Sequence, residues 1–103
     1  MADFMKILQQ AQEMQGRFQK LQEELQQQTV KASSGGGMVT VEANGQGTVR
    51  SIKIDPSVVN PADVEMLEDL LLVAVSEVQK KAQEAAQAEM GKLTGGLPFQ
   101  LPF

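Results

Sequence analysis

The chain has 103 residues and a formal net charge of −4, with nine basic residues against thirteen acidic ones, and it contains no Cys, His, Trp or Tyr. That composition excludes disulfides, thiolate chemistry and Cys-ligated zinc, and it removes the usual general base at neutral pH and the best stacking platforms for nucleic-acid bases. A chain of this length holds one domain with a modest core, so self-association would supply much of the missing contact area.

From Asp3 to Gln28 an apolar stripe recurs at steps of three and four, through Phe4, Ile7, Ala11, Met14, Phe18, Leu21 and Leu25. The spacing predicts an amphipathic helix over 3–28 with Asp3 as its N-cap. At about 1.5 Å of rise per residue such a helix is about 40 Å long, more than the rest of the chain can cover, so the stripe points to a second copy. Nine Gln residues between Gln9 and Gln28 coat its solvent face and leave Lys6, Arg17 and Lys20 as its cations. Gly16 sits mid-helix, where Gly costs roughly 1 kcal/mol against Ala, so a close backbone approach or a small bend is expected there.

At Thr29 the apolar period changes to two. Strands are expected over about 29–33, 38–43 and 48–54, separated by the turn Ser33-Ser34-Gly35-Gly36-Gly37 and the hairpin signal Asn44-Gly45-Gln46-Gly47. Val39, Val41 and Ala43 share one face of the second strand, and Ile52 and Ile54 one face of the third. The expected product is an antiparallel meander with one apolar face to hide against a helix.

Asp55-Pro56 ends the sheet, and Asn60-Pro61-Ala62-Asp63 predicts a second helix over 61–90 with Asn60 as cap, Pro61 at the first helical position and an acid at the third. The run Leu70 to Val75 is apolar on nearly every face of that helix. A sheet on one side and another protomer on the other would satisfy it, and Leu70, Leu71, Val73, Ala74, Val75 and Val78 are the candidate dimer interface. Further along, the helix turns polar and Ala-rich and carries Lys80 and Lys81. Residues 1–94 are thus expected to form one domain, followed by a flexible tail over 95–103 whose prolines bar a helix or central strand. Within it, Leu97–Phe103 repeats Leu-Pro-Phe, an apolar pair ahead of a free carboxylate that a protein partner's pocket could capture.

No secretory signal pattern opens the chain and no run of about 18 apolar residues occurs, so no membrane span is expected and the cytoplasm is the expected compartment. Neither glycine cluster ends in the Lys-Ser/Thr of a phosphate loop, so both read as turns. Asp63, Glu65, Glu68 and Asp69 fall in the first turns of the second helix, where acids complement the macrodipole, and no His joins them. No metal, cofactor or enzymatic activity is expected.

Several blocks, taken in order, carry a resemblance: Gln10-Ala11-Gln12-Glu13-Met14-Gln15 with Gln22-Glu23-Glu24-Leu25, Gly37-Met38-Val39-Thr40-Val41, Asn44-Gly45, Ile52-Lys53-Ile54-Asp55-Pro56-Ser57 and Glu65-Met66-Leu67-Glu68-Asp69-Leu70. Their order and spacing resemble the YbaB/EbfC family of bacterial nucleoid-associated proteins over nearly the whole chain. The resemblance implies an α+β homodimer of α-β-β-β-α protomers, whose long helices project like the arms of tweezers and which binds double-stranded DNA in the nucleoid. Basic residues of the family pattern fall at Arg17, Lys20, Lys80 and Lys81, with Lys6 near the start of the same arm; Arg50 and Lys53 on the sheet are second-choice contacts. Helical spacing offers three of these cations an acid four residues away: Glu13 for Arg17, Glu24 for Lys20 and Glu77 for Lys81. If about four phosphates are neutralised per dimer, log affinity falls against log salt with a slope of about −3.6.

Two readings follow. The first is a dimeric DNA-binding protein of little sequence selectivity that alters DNA conformation, organises or protects the nucleoid and influences gene expression. The second is a protein-interaction scaffold built on the long helices and the Leu-Pro-Phe tail, with DNA contact incidental.

Overall fold

The computed structural model describes residues 2–94. Helix α1 (Ala2–Gln27) is followed by strands β1 (Thr29–Ser34), β2 (Val39–Asn44) and β3 (Val49–Ile54) and by helix α2 (Val64–Thr94), with short 3-10 turns at Gly35–Gly37 and Pro56–Val58. The strands form one antiparallel meander in the order β1-β2-β3. This is the expected α+β arrangement, and its elements begin and end close to where the periodicity changes. The tail over 95–103, with its Leu-Pro-Phe repeat, lies outside the described residues.

Register decides which residues form the core. Ala32 pairs with Val41 and Ser34 with Val39 across β1 and β2, and Val41 and Val39 pair in turn with Ile52 and Ile54 of β3, so all of these share one face. Helix α2 lies on that face over β1 and β2. Its seam is Ala74, Val78 and Ala82, four residues apart and all buried, and the small alanines let the helix axis approach the sheet closely. Val39, Val41, Ala74 and Val78 are completely enclosed. The Ser34 hydroxyl donates to the Leu70 carbonyl at 2.6 Å and ties β1 to the helix. Between β1 and β2 the chain reverses through Gly35, Gly36 and Gly37, with φ of 61°, 69° and 96°, a left-handed path that side chains with a Cβ rarely take.

Three expectations are corrected. Helix α2 starts at Val64 rather than at Pro61, because Asn60 closes a turn of its own: its Oδ1 accepts the Ala62 N–H at 3.0 Å and its carbonyl accepts the Asp63 N–H at 2.9 Å. Asp63 then caps the helix, accepting the Met66 N–H at 3.2 Å. At its other end α2 runs through Gly91 to Thr94 instead of stopping near residue 90. Gly16 lies within an uninterrupted α1 and makes no close approach to a neighbour, since a Cβ built there touches nothing within 4 Å.

The six residues offered as a dimer interface divide in the same way. Ala74 and Val78 are fully buried against the chain's own sheet, and Leu70, Leu71 and Val75 are half-buried beside them. Only Val73 is exposed, together with its neighbour Leu72. The helical period explains the division: residues at 70, 74, 78 and 82 share the inward stripe, and 72 and 73 turn away from it.

Candidate nucleic-acid interface

Helix α1 meets α2 only over its C-terminal half. Leu21 and Leu25 are buried, Met14 is half-buried, and Phe4, Ile7, Ala11 and Phe18 of the same stripe stay exposed. Leu25 shares a cleft with Ala82 and Ala86, and Leu21 shares the next one with Leu93, so the two helices run antiparallel with α1 reaching past the end of α2.

That antiparallel packing assembles the charge. Arg17 and Lys20 of α1 and Lys92 of α2 line a shallow cleft of about 260 Å³ with Leu21, Leu93, Glu24 and Glu89. Lys92 holds Glu89 at 3.4 Å, one turn away on its own helix. Three cations against two carboxylates leave the cleft with a positive balance in an otherwise acidic chain. All three cations are solvent-exposed, so they can reach an anionic strand at little desolvation cost. The apolar floor of Leu21 and Leu93 keeps the stems together while the charged ends stay in water.

The other predicted cations lie elsewhere. Lys6 stands alone on the outer part of α1, about 16 Å along the axis from Arg17. Lys80 is exposed on α2, about 18 Å back toward the sheet from Lys92. Lys81 turns to the sheet edge, where its Nζ donates to the Lys31 carbonyl at 2.8 Å. Arg50 is the extra residue of a bulge opposite Glu42 and Ala43, and Lys53 pairs with Thr40, which puts it on the sheet face away from α2. Neither joins the cleft. The anticipated i, i+4 partners do not engage: the ion pairs among the described residues are Lys31 with Glu42, which face each other across β1 and β2 at 3.4 Å, and Lys92 with Glu89. Arg17 and Lys20 are therefore free of carboxylate contacts within ion-pair range.

Sequence reasoning missed Lys92. It is a single cation in an alanine- and glutamine-rich stretch, and the packing that brings it opposite Arg17 is tertiary. Gly91 reads locally as a helix end, yet the helix runs through it to Thr94 and carries Lys92 into register with α1.

One more contact fixes this geometry. The β2–β3 turn presses on the base of α1: the Gly45 N–H donates to the Leu25 carbonyl at 2.7 Å, and Gln46 Nε2 donates to Gln22 Oε1 at 2.9 Å.

The profile of the YbaB/EbfC DNA-binding family matches residues 1–97. A nucleoid-associated protein of Gemmatimonas aurantiaca is 55% identical over 103 residues, covering 98% of this chain and 99% of that protein. One of Thermodesulfovibrio yellowstonii is 59% identical over 99 residues, covering 96% of this chain and 85% of its own length. In three dimensions the chain is similar to an uncharacterized Helicobacter pylori protein of known crystal structure, with a TM-score of 0.82 at 27% identity over 89% of this chain and 97% of that one. Sequence match and fold agree across almost the full length, and the chain belongs to the YbaB/EbfC DNA-binding family.

Proposed function

We propose that this chain is a homodimeric nucleoid-associated protein of the cytoplasm that holds duplex DNA by its phosphates. In this role it organises or protects the nucleoid, alters DNA conformation and influences gene expression. The observation that carries the reading is the meeting of Arg17, Lys20 and Lys92 in one exposed cleft between the arms. Lys and Arg ends that contact phosphates position a protein on DNA without reading bases, so binding has little sequence selectivity. The chain works by binding, and no catalytic step is assigned to it.

Self-association is supported by the apolar surface that one protomer leaves uncovered. Ile52 and Ile54 lie on the α2 side of the sheet by register, yet are 48% and 37% exposed because α2 covers only β1 and β2. Leu72 at 66%, Val73 at 51% and Val59 at 56% add to it, as does the outer stripe of α1. So much exposed aliphatic surface on a small domain marks an association site. A two-fold axis would then duplicate each cationic cleft, so the DNA meets two of them.

Titrating two unrelated random duplexes over a salt series by fluorescence anisotropy, with sedimentation velocity on the same protein, tests this. Similar affinities for both duplexes, declining with salt, and a dimer in sedimentation support it. Absence of binding at low salt, or a strong preference for one duplex, contradicts it.

A further inference from the structure

We infer that the β2–β3 turn is the device that aims the α1 arm, with Gln46 as a positioning residue for the cationic cleft; this rests on the DNA-binding reading above.

Helix α1 is joined to the sheet through Gln28 alone, and its packing on α2 through Leu21 and Leu25 is apolar and non-directional. Directional contacts come from the turn. The Leu25 carbonyl lies in the last turn of α1, where carbonyls lack helical partners, and Gly45 supplies one. Gln46 reaches one turn further up the arm, its Nε2 donating to Gln22 Oε1 at 2.9 Å and lying 3.4 Å from the Gln22 carbonyl. The turn itself is braced. Asn44 is buried, and its Oδ1 accepts the N–H groups of Gln46 at 2.9 Å and Thr48 at 3.0 Å.

Gly45 is required for this contact. A Cβ there would sit 2.8 Å from the Leu25 carbonyl oxygen and 2.9 Å from Leu25 Cδ2, so any side chain pushes the arm off the turn.

Small tilts matter because the arm is long. Arg17 lies about 12 Å from Leu25 along the helix axis and Lys6 about 28 Å, so a tilt of about 10° at the base moves them by about 2 Å and 5 Å. That displacement separates Arg17 and Lys20 from Lys92, which is fixed to α2. The turn carries no charge and need not touch DNA, yet it sets the spacing of the groups that do.

The test uses the full chain, whose lack of Cys allows spin labels at Gln12→Cys and Ser33→Cys, with the labelled protein diluted in unlabelled protein so that distances within one protomer dominate. Gln46→Ala and Gly45→Ala are compared with the parent and with Gln83→Ala. For Gln46→Ala the expected result is a broadened arm-to-sheet distance distribution and a loss of duplex affinity of about threefold to tenfold, the scale of one hydrogen bond. Circular dichroism and sedimentation stay unchanged, and Gln83→Ala behaves as the parent. Gly45→Ala shifts the distribution as well as broadening it. A distribution as narrow as the parent's in both turn variants overturns the inference, as does a broadened one with unchanged affinity. If the parent itself fails to bind duplex, the DNA reading falls, and the distance distributions still decide whether the turn holds the arm.

Discussion

Lys81 of α2 aims its ammonium at the carbonyl oxygen of Lys31 in β1, 2.8 Å away and 50 residues apart in sequence. Strand β1 is an edge strand, paired only with β2, so this carbonyl would otherwise face solvent or a foreign strand. A cation whose position in the family pattern suggests DNA contact thus closes a sheet edge. Lys81→Gln should change duplex affinity by less than about twofold, well below the loss for a phosphate contact, and cost only about 0.5 kcal/mol of stability at so exposed a site. Anisotropy and urea unfolding on one preparation check both.

Lys92 should behave in the opposite way. If both protomers bring Arg17, Lys20 and Lys92 to phosphates, six are neutralised and the slope of log affinity against log salt is about −5.4, steeper than the −3.6 of a four-contact grip. Lys92→Gln removes two of the six and should flatten the slope by about 1.8 while weakening different duplexes alike. A salt series on parent and variant reads this directly.

Stability and assembly should separate cleanly between two faces of α2. Val78 is completely enclosed by the chain's own sheet, so Val78→Ala should destabilise the fold by about 2 kcal/mol. Leu72 is 66% exposed, so Leu72→Glu should leave the protomer's helix content intact and weaken the proposed dimer. Sedimentation equilibrium beside thermal unfolding distinguishes the two outcomes.

The end of β3 carries a small acid-sensitive element. The Asp55 carboxylate accepts the Ser57 N–H at 2.8 Å, and this backbone bond first, with the Ser57 hydroxyl second, holds its pKa below the ordinary 3.8. A depressed carboxylate contributes stability that is complete above its unfolded value and disappears as pH falls through the lower folded one. The Pro56–Val58 turn should therefore loosen below about pH 4, and Asp55→Asn should remove that pH dependence. Amide chemical shifts of Ser57 followed between neutral pH and pH 2 give the measurement.

Local rules made the backbone legible. The switch at Thr29 from a step of three and four to a step of two placed α1 and the sheet, and the two Gly-rich turns followed from their residue types. Where two local signals competed, the reading erred: Asn60 and Asp63 can each cap a helix, and Pro61 favoured the first, whereas the fold uses Asn60 for a turn and Asp63 for the helix. The run Leu70 to Val75 was apolar all round, so periodicity could not separate the stripe facing the sheet from that left over. Burial did, by enclosing Ala74 and exposing Leu72 and Val73. The site was the least legible part. Arg17 and Lys20 stood out on α1, but their partnership with Lys92, more than 70 residues further along the chain, depends on the antiparallel crossing of the two helices. A chain read locally holds no trace of it.

The most direct test of the cationic cleft is a duplex titration with Arg17, Lys20 and Lys92 changed together to Gln, run beside a Lys80→Gln, Lys81→Gln double variant and with sedimentation of each. The triple variant should remain folded and dimeric and lose nearly all salt-sensitive binding, while the double variant keeps most of it. Unchanged binding in the triple variant, or its loss in the double variant instead, would contradict the assignment.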